Sequence, residues 1–158
     1  SISERTNKLA LKDFCKKASY EPIIFKSYQK VGAKKKLIYH TNVMMCVAEE
    51  YVLICLDLVH NKDEKKNIIN TIQKTKKEII EISEKQCNSF AGNTLQVSNI
   101  KNDKFLVMSN SAHDSLEKEQ RIKLLKYNKI IHSDLTLIEK LGGGSARCMI
   151  AENFLQKK

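Results

Sequence analysis

Three stretches of the chain carry apolar residues at helical spacing, which predicts three amphipathic helices. They cover about residues 6–18, 62–77 and 115–126, and Thr6 or Ser3 is a candidate N-cap for the first. The residues expected to face a core are Leu9, Leu11, Phe14, Cys15 and Ala18 in the first helix, Ile68, Ile69 and Ile72 in the second, and Leu116, Ile122 and Leu125 in the third.

Short apolar runs between turn residues predict the strands. Residues 23–25 follow Pro22 and fit a strand that is buried on both faces. The basic stretch 29–36 contains Gly32, so we expect a loop or hairpin tip there, and the runs 43–47 and 51–56 indicate a hairpin. Further strands are expected at 79–82, 94–97, 105–108 and 129–132.

The predicted elements repeat as strand, strand, helix, strand, with a period of about 55 residues between helix starts. The first unit starts at its helix and lacks the two preceding strands, so we expect the chain to begin in the middle of a module. The expected organisation is the end of a truncated module at 1–27, a module at 28–84, and a module with a cysteine segment at 85–158. The alternative is an ordinary α+β domain whose elements alternate without a true repeat.

Composition narrows the class of protein. The 158 residues suffice for one domain with a core, and the longest apolar runs are too short for a membrane span. The formal charge of +10 comes from 25 lysines and three arginines, with no tryptophan, and this dispersed lysine does not favour a nucleic-acid site. Five cysteines without a CxxC pair indicate free thiols in a cytoplasmic protein, and we expect no metal and no cofactor.

The first candidate for chemistry is the loop from Gly142 to Cys148, which contains three consecutive glycines. Its backbone N–H groups at Gly143 and Gly144 can approach a substrate closely. Arg147 and these dipoles would favour the Cys148 thiolate, which makes a reactive cysteine plausible. The alternative is a flexible linker before a buried structural cysteine.

The second candidate is His40 with Asn42, at the start of a predicted strand. In extended chain these two side chains project to the same side, and an imidazole is a natural proton donor and acceptor for a thiol nucleophile. A histidine at a strand start is also commonly structural. The segment from Cys87 to Asn93 contains Gly92 and, taken alone, indicates a turn.

Together these segments resemble the amidinotransferase and arginine deiminase superfamily, and within it the bacterial citrulline-hydrolysing branch. The resemblance rests on SERT at 3–6, YHTNVMMC at 39–46, FAGN at 90–93 and LGGGSARCM at 141–149. It implies an α+β pentein fold, a propeller of five ββαβ modules, of which this chain would supply about three. The first two modules, which carry an acid and the residues that hold the substrate's amino-acid end, would have to come from a missing N-terminal half or a second chain, with a homo-oligomer as one arrangement.

By this resemblance Cys148 is the nucleophile and His40 the general acid and base, while Asn42, Gly92, Asn93, Gly143, Gly144 and Arg147 line the substrate site. Much of the superfamily has an aspartate at the position of Asn42. A neutral amide both donates and accepts hydrogen bonds, which suits a ureido group and favours citrulline over arginine. The expected partner is then a small-molecule substrate, and we expect binding neither to nucleic acid nor to a membrane.

Two other functions remain open from the sequence. An arginine deiminase or an amidinotransferase would use the same cysteine and histidine on a guanidino substrate. A pentein that only binds is the second alternative, because the N-terminal half of the site is absent from the chain.

Overall fold

The computed structural model describes residues 1–152, which form a mixed α+β fold. The helices are α1 (Lys8–Lys17), α2 (Lys62–Lys74), α3 (Glu84–Asn88), α4 (Asn110–Ser115), α5 (Lys118–Leu125) and α6 (Thr136–Gly142). The strands are β1 (Tyr28–Val31), β2 (Lys34–Leu37), β3 (Met45–Val47), β4 (Tyr51–Ile54), β5 (Glu78–Glu81), β6 (Leu95–Ser98), β7 (Lys104–Ser109) and β8 (Lys129–Ser133). Short 3-10 helices lie at Thr41–Val43, Leu56–Leu58 and Ala146–Met149.

The strands make one hairpin and two sheets of the same topology. β1 and β2 pair as an antiparallel hairpin around Gly32, as the basic stretch predicts. In the order β3-β4-β5 the first pair is antiparallel and the second parallel, and the order β6-β7-β8 repeats this arrangement. The predicted strand pattern of both units is therefore confirmed. The described residues form no closed barrel, and the number of propeller modules stays a prediction.

The core lies mainly around the first of these sheets. All four residues of β4 are buried, and Ile68 and Ile72 of α2 pack against them, as the helical pattern predicts. The hydroxyl of buried Tyr51 donates to Asn128 Oδ1 at 2.8 Å and so ties β4 to the turn before β8. This buried hydrogen bond is one direct link between the two sheet units.

Four sequence predictions differ from the structure. Residues 23–25 form no strand, because no neighbouring strand pairs with them among the described residues; Phe25 is buried, but Ile23 is exposed. Helix α5 buries Leu124, whereas Ile122 and Leu125 are exposed. The N-cap of α1 is Asn7, whose Oδ1 accepts the N–H groups of Leu9 and Ala10.

The fourth difference concerns α1, whose Leu9 and Phe14 are exposed although its apolar spacing predicts that they face a core. Residues 136–142 form a further helix, α6, which the sequence pattern did not predict. Its Leu137 and Leu141 are exposed as well.

Candidate active site

Five of the eight predicted site residues meet in one cavity of about 230 Å³. His40, Asn42, Asn93, Gly143 and Cys148 all line it, although they come from three separate stretches of the chain. The 3-10 helix at residues 41–43, the loop before β6 and the loop after α6 carry these groups to the same place. Side chains that sequence reasoning did not assign to the site also line it: Gln29, Tyr39, Val43, Cys87, Asn88 and Phe90.

Cys148 is the exposed thiol of the site, and the chain's other four cysteines are buried. It lies in the 3-10 helix of residues 146–149. Two side-chain amides are directed at its sulfur: Asn93 Nδ2 lies 3.2 Å from Sγ and Asn42 Nδ2 lies 3.7 Å from it. Both amide N–H groups are placed to donate to the sulfur, which fixes the orientation of the Cys148 side chain in the cavity.

Asn93 connects the three segments of the site. It is only 3% exposed, and its Nδ2 also donates to the backbone carbonyl of Asn42 at 3.0 Å. Its Oδ1 accepts the N–H of Ser145 at 3.1 Å, and its carbonyl accepts the N–H of Arg147 at 3.3 Å. Every polar group of this side chain is therefore used, which fixes its orientation toward the sulfur.

The glycines of the cysteine loop have different tasks. Gly143 has φ +67°, a left-handed conformation that ends α6, and its N–H donates to the carbonyl of Glu139. Gly144 packs against the nucleophile candidate, since a Cβ there would stand 3.0 Å from Cys148 Sγ. Larger residues at Gly144 would displace the thiol.

Gly92 lies behind the cavity. A Cβ on it would stand 2.6 Å from the carbonyl oxygen of Val43 and 2.8 Å from the carbonyl carbon of Met44. Gly92 therefore brings the Asn93 loop against the backbone that follows Asn42. Gly92 thus supports the site by allowing this close backbone packing. The residue itself does not line the cavity.

The charge of Arg147 acts on a different cysteine. Burial raises the pKa of the Cys46 thiol, and the hydrogen bond and positive charge of Arg147 oppose that rise. Cys46 is fully buried, unlike the candidate nucleophile. Arg147 contributes to the cavity through its backbone N–H on Asn93.

His40 is exposed at the cavity and precedes the 3-10 helix. Its ring meets the Tyr39 ring edge to face at 4.8 Å, and the Arg5 guanidinium lies 4.5 Å from the centre of the Tyr39 ring. These contacts place the SERT segment beside the histidine.

Cys87 also lines the cavity but has a different environment from Cys148. A hydrogen bond with Cys55 and burial raise the pKa of the Cys87 thiol, so the neutral form is favoured at neutral pH. Within residues 1–152, no set of three or more His, Cys, Asp or Glu side chains is grouped to hold a metal ion. None of the helices there has the length and apolar character of a membrane span.

Comparison with known proteins supports assignment of this α+β fold to the pentein or amidinotransferase superfamily. The model of the family of N,N dimethylarginine dimethylhydrolase, eukaryotic, matches residues 1–155, and the chain belongs to that family. No curated protein matches the chain in sequence.

Two solved structures share the fold. One is ArgZ without ligand, an arginine dihydrolase from the ornithine–ammonia cycle in cyanobacteria, at TM-score 0.67 and 20% identity. The match covers 99% of this chain and 23% of ArgZ. The other is the N-terminal domain of ArgZ, a C264S mutant bound to substrate, at TM-score 0.65 and 20% identity, with 92% and 47% covered. The chain thus spans less than half the length of either structure.

Proposed function

We propose that this chain carries the nucleophile-bearing part of a cysteine-dependent hydrolase that cleaves a ureido or guanidino C–N bond. The observation that carries the proposal is the convergence of Asn42 and Asn93 on Cys148 Sγ in a cavity that His40 also lines. Membership of a dimethylarginine hydrolase family supports the same reaction class. The favoured substrate is citrulline, which would yield ornithine, ammonia and CO2.

In the proposed reaction the Cys148 thiolate attacks the ureido carbon. The bond from this carbon to the terminal nitrogen breaks, and His40 gives that nitrogen a proton so that it leaves as ammonia. A thiocarbamate then joins Cys148 to the substrate. Water attacks the same carbon while His40 takes its proton, the C–S bond breaks, and the released carbamate loses CO2 to give ornithine.

The choice of citrulline over arginine rests on Asn42. A carboxylate at this position would attract a cationic guanidinium, whereas an amide can accept from the ureido N–H and donate to its oxygen. The alternative substrate class is a guanidino compound. It is supported by the family, whose description refers to a dimethylated arginine.

On this proposal, residues outside the chain complete the cavity, supplied by a further segment or a second copy. Support comes from the exposed Leu9 and Phe14 of α1 and Leu137 and Leu141 of α6, which offer apolar area for such contacts. If a second copy completes the cavity, sedimentation of the 158-residue chain should show association. A stable monomer would exclude the second copy and favour a further segment.

The test is ammonia release by the full-length protein from citrulline, arginine and N,N-dimethylarginine, compared by kcat/KM. The expected order places citrulline first. Equal or greater turnover of arginine would contradict the role given to Asn42 and favour the guanidino alternative. Full-length protein without turnover of any of the three would favour a pentein that only binds.

A further inference from the structure

A buried carboxylate stands next to the cysteine loop and has no place in the proposed reaction. Glu139, on α6, is only 9% exposed. Its Oε1 accepts from the Ser145 hydroxyl at 2.7 Å and its Oε2 from the Ser111 hydroxyl at 2.9 Å. Burial of a carboxylate is costly unless hydrogen bonds compensate for lost water, so these two contacts hold the side chain in one orientation.

The same glutamate also holds the start of the loop through its backbone. Its carbonyl accepts the N–H of Gly143 at 3.2 Å, while its side chain holds Ser145 two residues further on. Ser111 belongs to α4, which follows β7 directly. Glu139 therefore joins the glycine loop to the second sheet.

A continuous series of hydrogen bonds leads from Glu139 to the sulfur. Ser145 is fully buried, and its N–H donates to Asn93 Oδ1 at 3.1 Å. Asn93 Nδ2 in turn donates to Cys148 Sγ at 3.2 Å. The carbonyl of Ser145 accepts the N–H of Cys148 at 3.0 Å, so Ser145 contacts the cysteine along two routes.

We infer that Glu139 is a positioning residue, which fixes Ser145 and, through it, the orientation of Asn93 and Cys148 for attack. This inference rests on the proposed function, because it assigns Glu139 a task in that reaction. Its physical basis is the sensitivity of a positioned nucleophile to displacement, since an error of about 1 Å can cost about 100-fold in rate. Glu139 does not line the cavity, so its carboxylate acts on the cysteine through Ser145.

The experiment compares Glu139→Ala, Glu139→Gln and Ser145→Ala in the full-length protein. Glu119→Gln, at an exposed position on α5, removes a negative charge without these contacts and is the matched control. We expect kcat to fall about 10- to 100-fold in Glu139→Ala and Ser145→Ala, with KM changed less than about threefold. Glu139→Gln should recover most of the loss, because its amide oxygen can still accept from Ser145.

Amide hydrogen exchange of residues 143–149 is followed on the same samples below their melting temperatures. Faster exchange in Glu139→Ala and Ser145→Ala, with the control unchanged, supports the inference. Absence of turnover with all substrates would contradict the proposed function, and the exchange result would still test the link between Glu139 and the cysteine loop. Wild-type kcat and wild-type exchange in folded Glu139→Ala would overturn it. So would a lowered melting temperature with an unchanged kcat, which is the result of a purely structural role.

Discussion

The two sheets place an asparagine at corresponding positions, one just before β3 and the other just before β6. Asn42 and Asn93 both direct Nδ2 at Cys148 Sγ, at 3.7 and 3.2 Å. The two sheets share one topology, with an antiparallel pair followed by a parallel strand. The repeated scaffold thus delivers the same chemical group to the sulfur from two sides.

The surroundings of the two amides differ. Asn93 is almost fully buried and uses its side chain on Asn42, Ser145 and Cys148. Asn42 is half-buried, and the sulfur is the single hydrogen-bond partner of its side chain among the described residues. The hydrogen bonds of the Asn93 side chain are therefore all used within the site, while the Asn42 amide can still bind a substrate.

Replacing Cys148 removes the group that both amides address and should have the largest effect. Cys148→Ala is expected to lower kcat by at least about 10⁴-fold, because no other exposed thiol is available in the described chain. Ammonia release measures it, and Cys15→Ala, which alters a buried thiol of α1, is the control. Retained activity in Cys148→Ala would remove the proposed nucleophile.

Asn93→Ala should be the next most damaging change. It leaves the N–H of Ser145 and the carbonyl of Asn42 without their partner, which we expect to cost about 2 to 5 kcal/mol of unfolding free energy. The kcat should fall together with stability, by about 100-fold, as the cysteine loop loses its anchor. Urea unfolding and turnover of the folded protein measure the two effects. If Asn93→Ala had wild-type stability, the hydrogen bonds of Asn93 would not stabilise the site more than that of Asn42.

The sequence predicted most of the strands and the central helix because their apolar residues follow the sheet and helix periods closely. It did not predict α6, a helix of seven residues that ends in Gly142 and leaves Leu137 and Leu141 exposed. The strand expected at 23–25 failed for a different reason. Apolar character makes a strand only when another strand supplies the hydrogen bonds, and sequence pattern does not show that partner.

For the site, the motifs contain His40, Asn42, Asn93 and Cys148, which line one cavity, while their roles in a reaction stay predictions. They did not separate residues that line the cavity from those that support it. The charge of Arg147 acts on the Cys46 thiol, and Gly92 packs on backbone. Both effects depend on contacts distant in sequence. The sequence did not indicate Glu139, because a glutamate in a helix is ordinarily solvated. In the structure its carboxylate is buried and accepts hydrogen bonds from Ser111 and Ser145.

Asn42→Asp tests the freedom of the second amide. A carboxylate here would attract the cationic guanidinium of arginine but gain no ionic attraction from the neutral ureido group of citrulline. The ratio of kcat/KM for arginine to that for citrulline should therefore rise about 10- to 100-fold. Unfolding free energy should change little, because the side chain is half-buried with one hydrogen bond. Asn70→Asp, exposed on α2, is the matched control. An unchanged ratio would show that Asn42 does not select the substrate.

Gly92→Ala addresses the contact that brings the two asparagine segments together and should affect turnover least. The added Cβ would stand 2.6 Å from the carbonyl oxygen of Val43, and because backbone on both sides must shift, we expect a loss of about 1 to 3 kcal/mol in unfolding free energy. Gly142→Ala is the control, since a Cβ there would find its nearest contact at 4.0 Å and helix propensity favours alanine. Urea midpoints compare the two. If Gly92→Ala were as stable as Gly142→Ala, the Asn93 loop would not depend on close packing against the backbone after Asn42, and the two amides would be held independently.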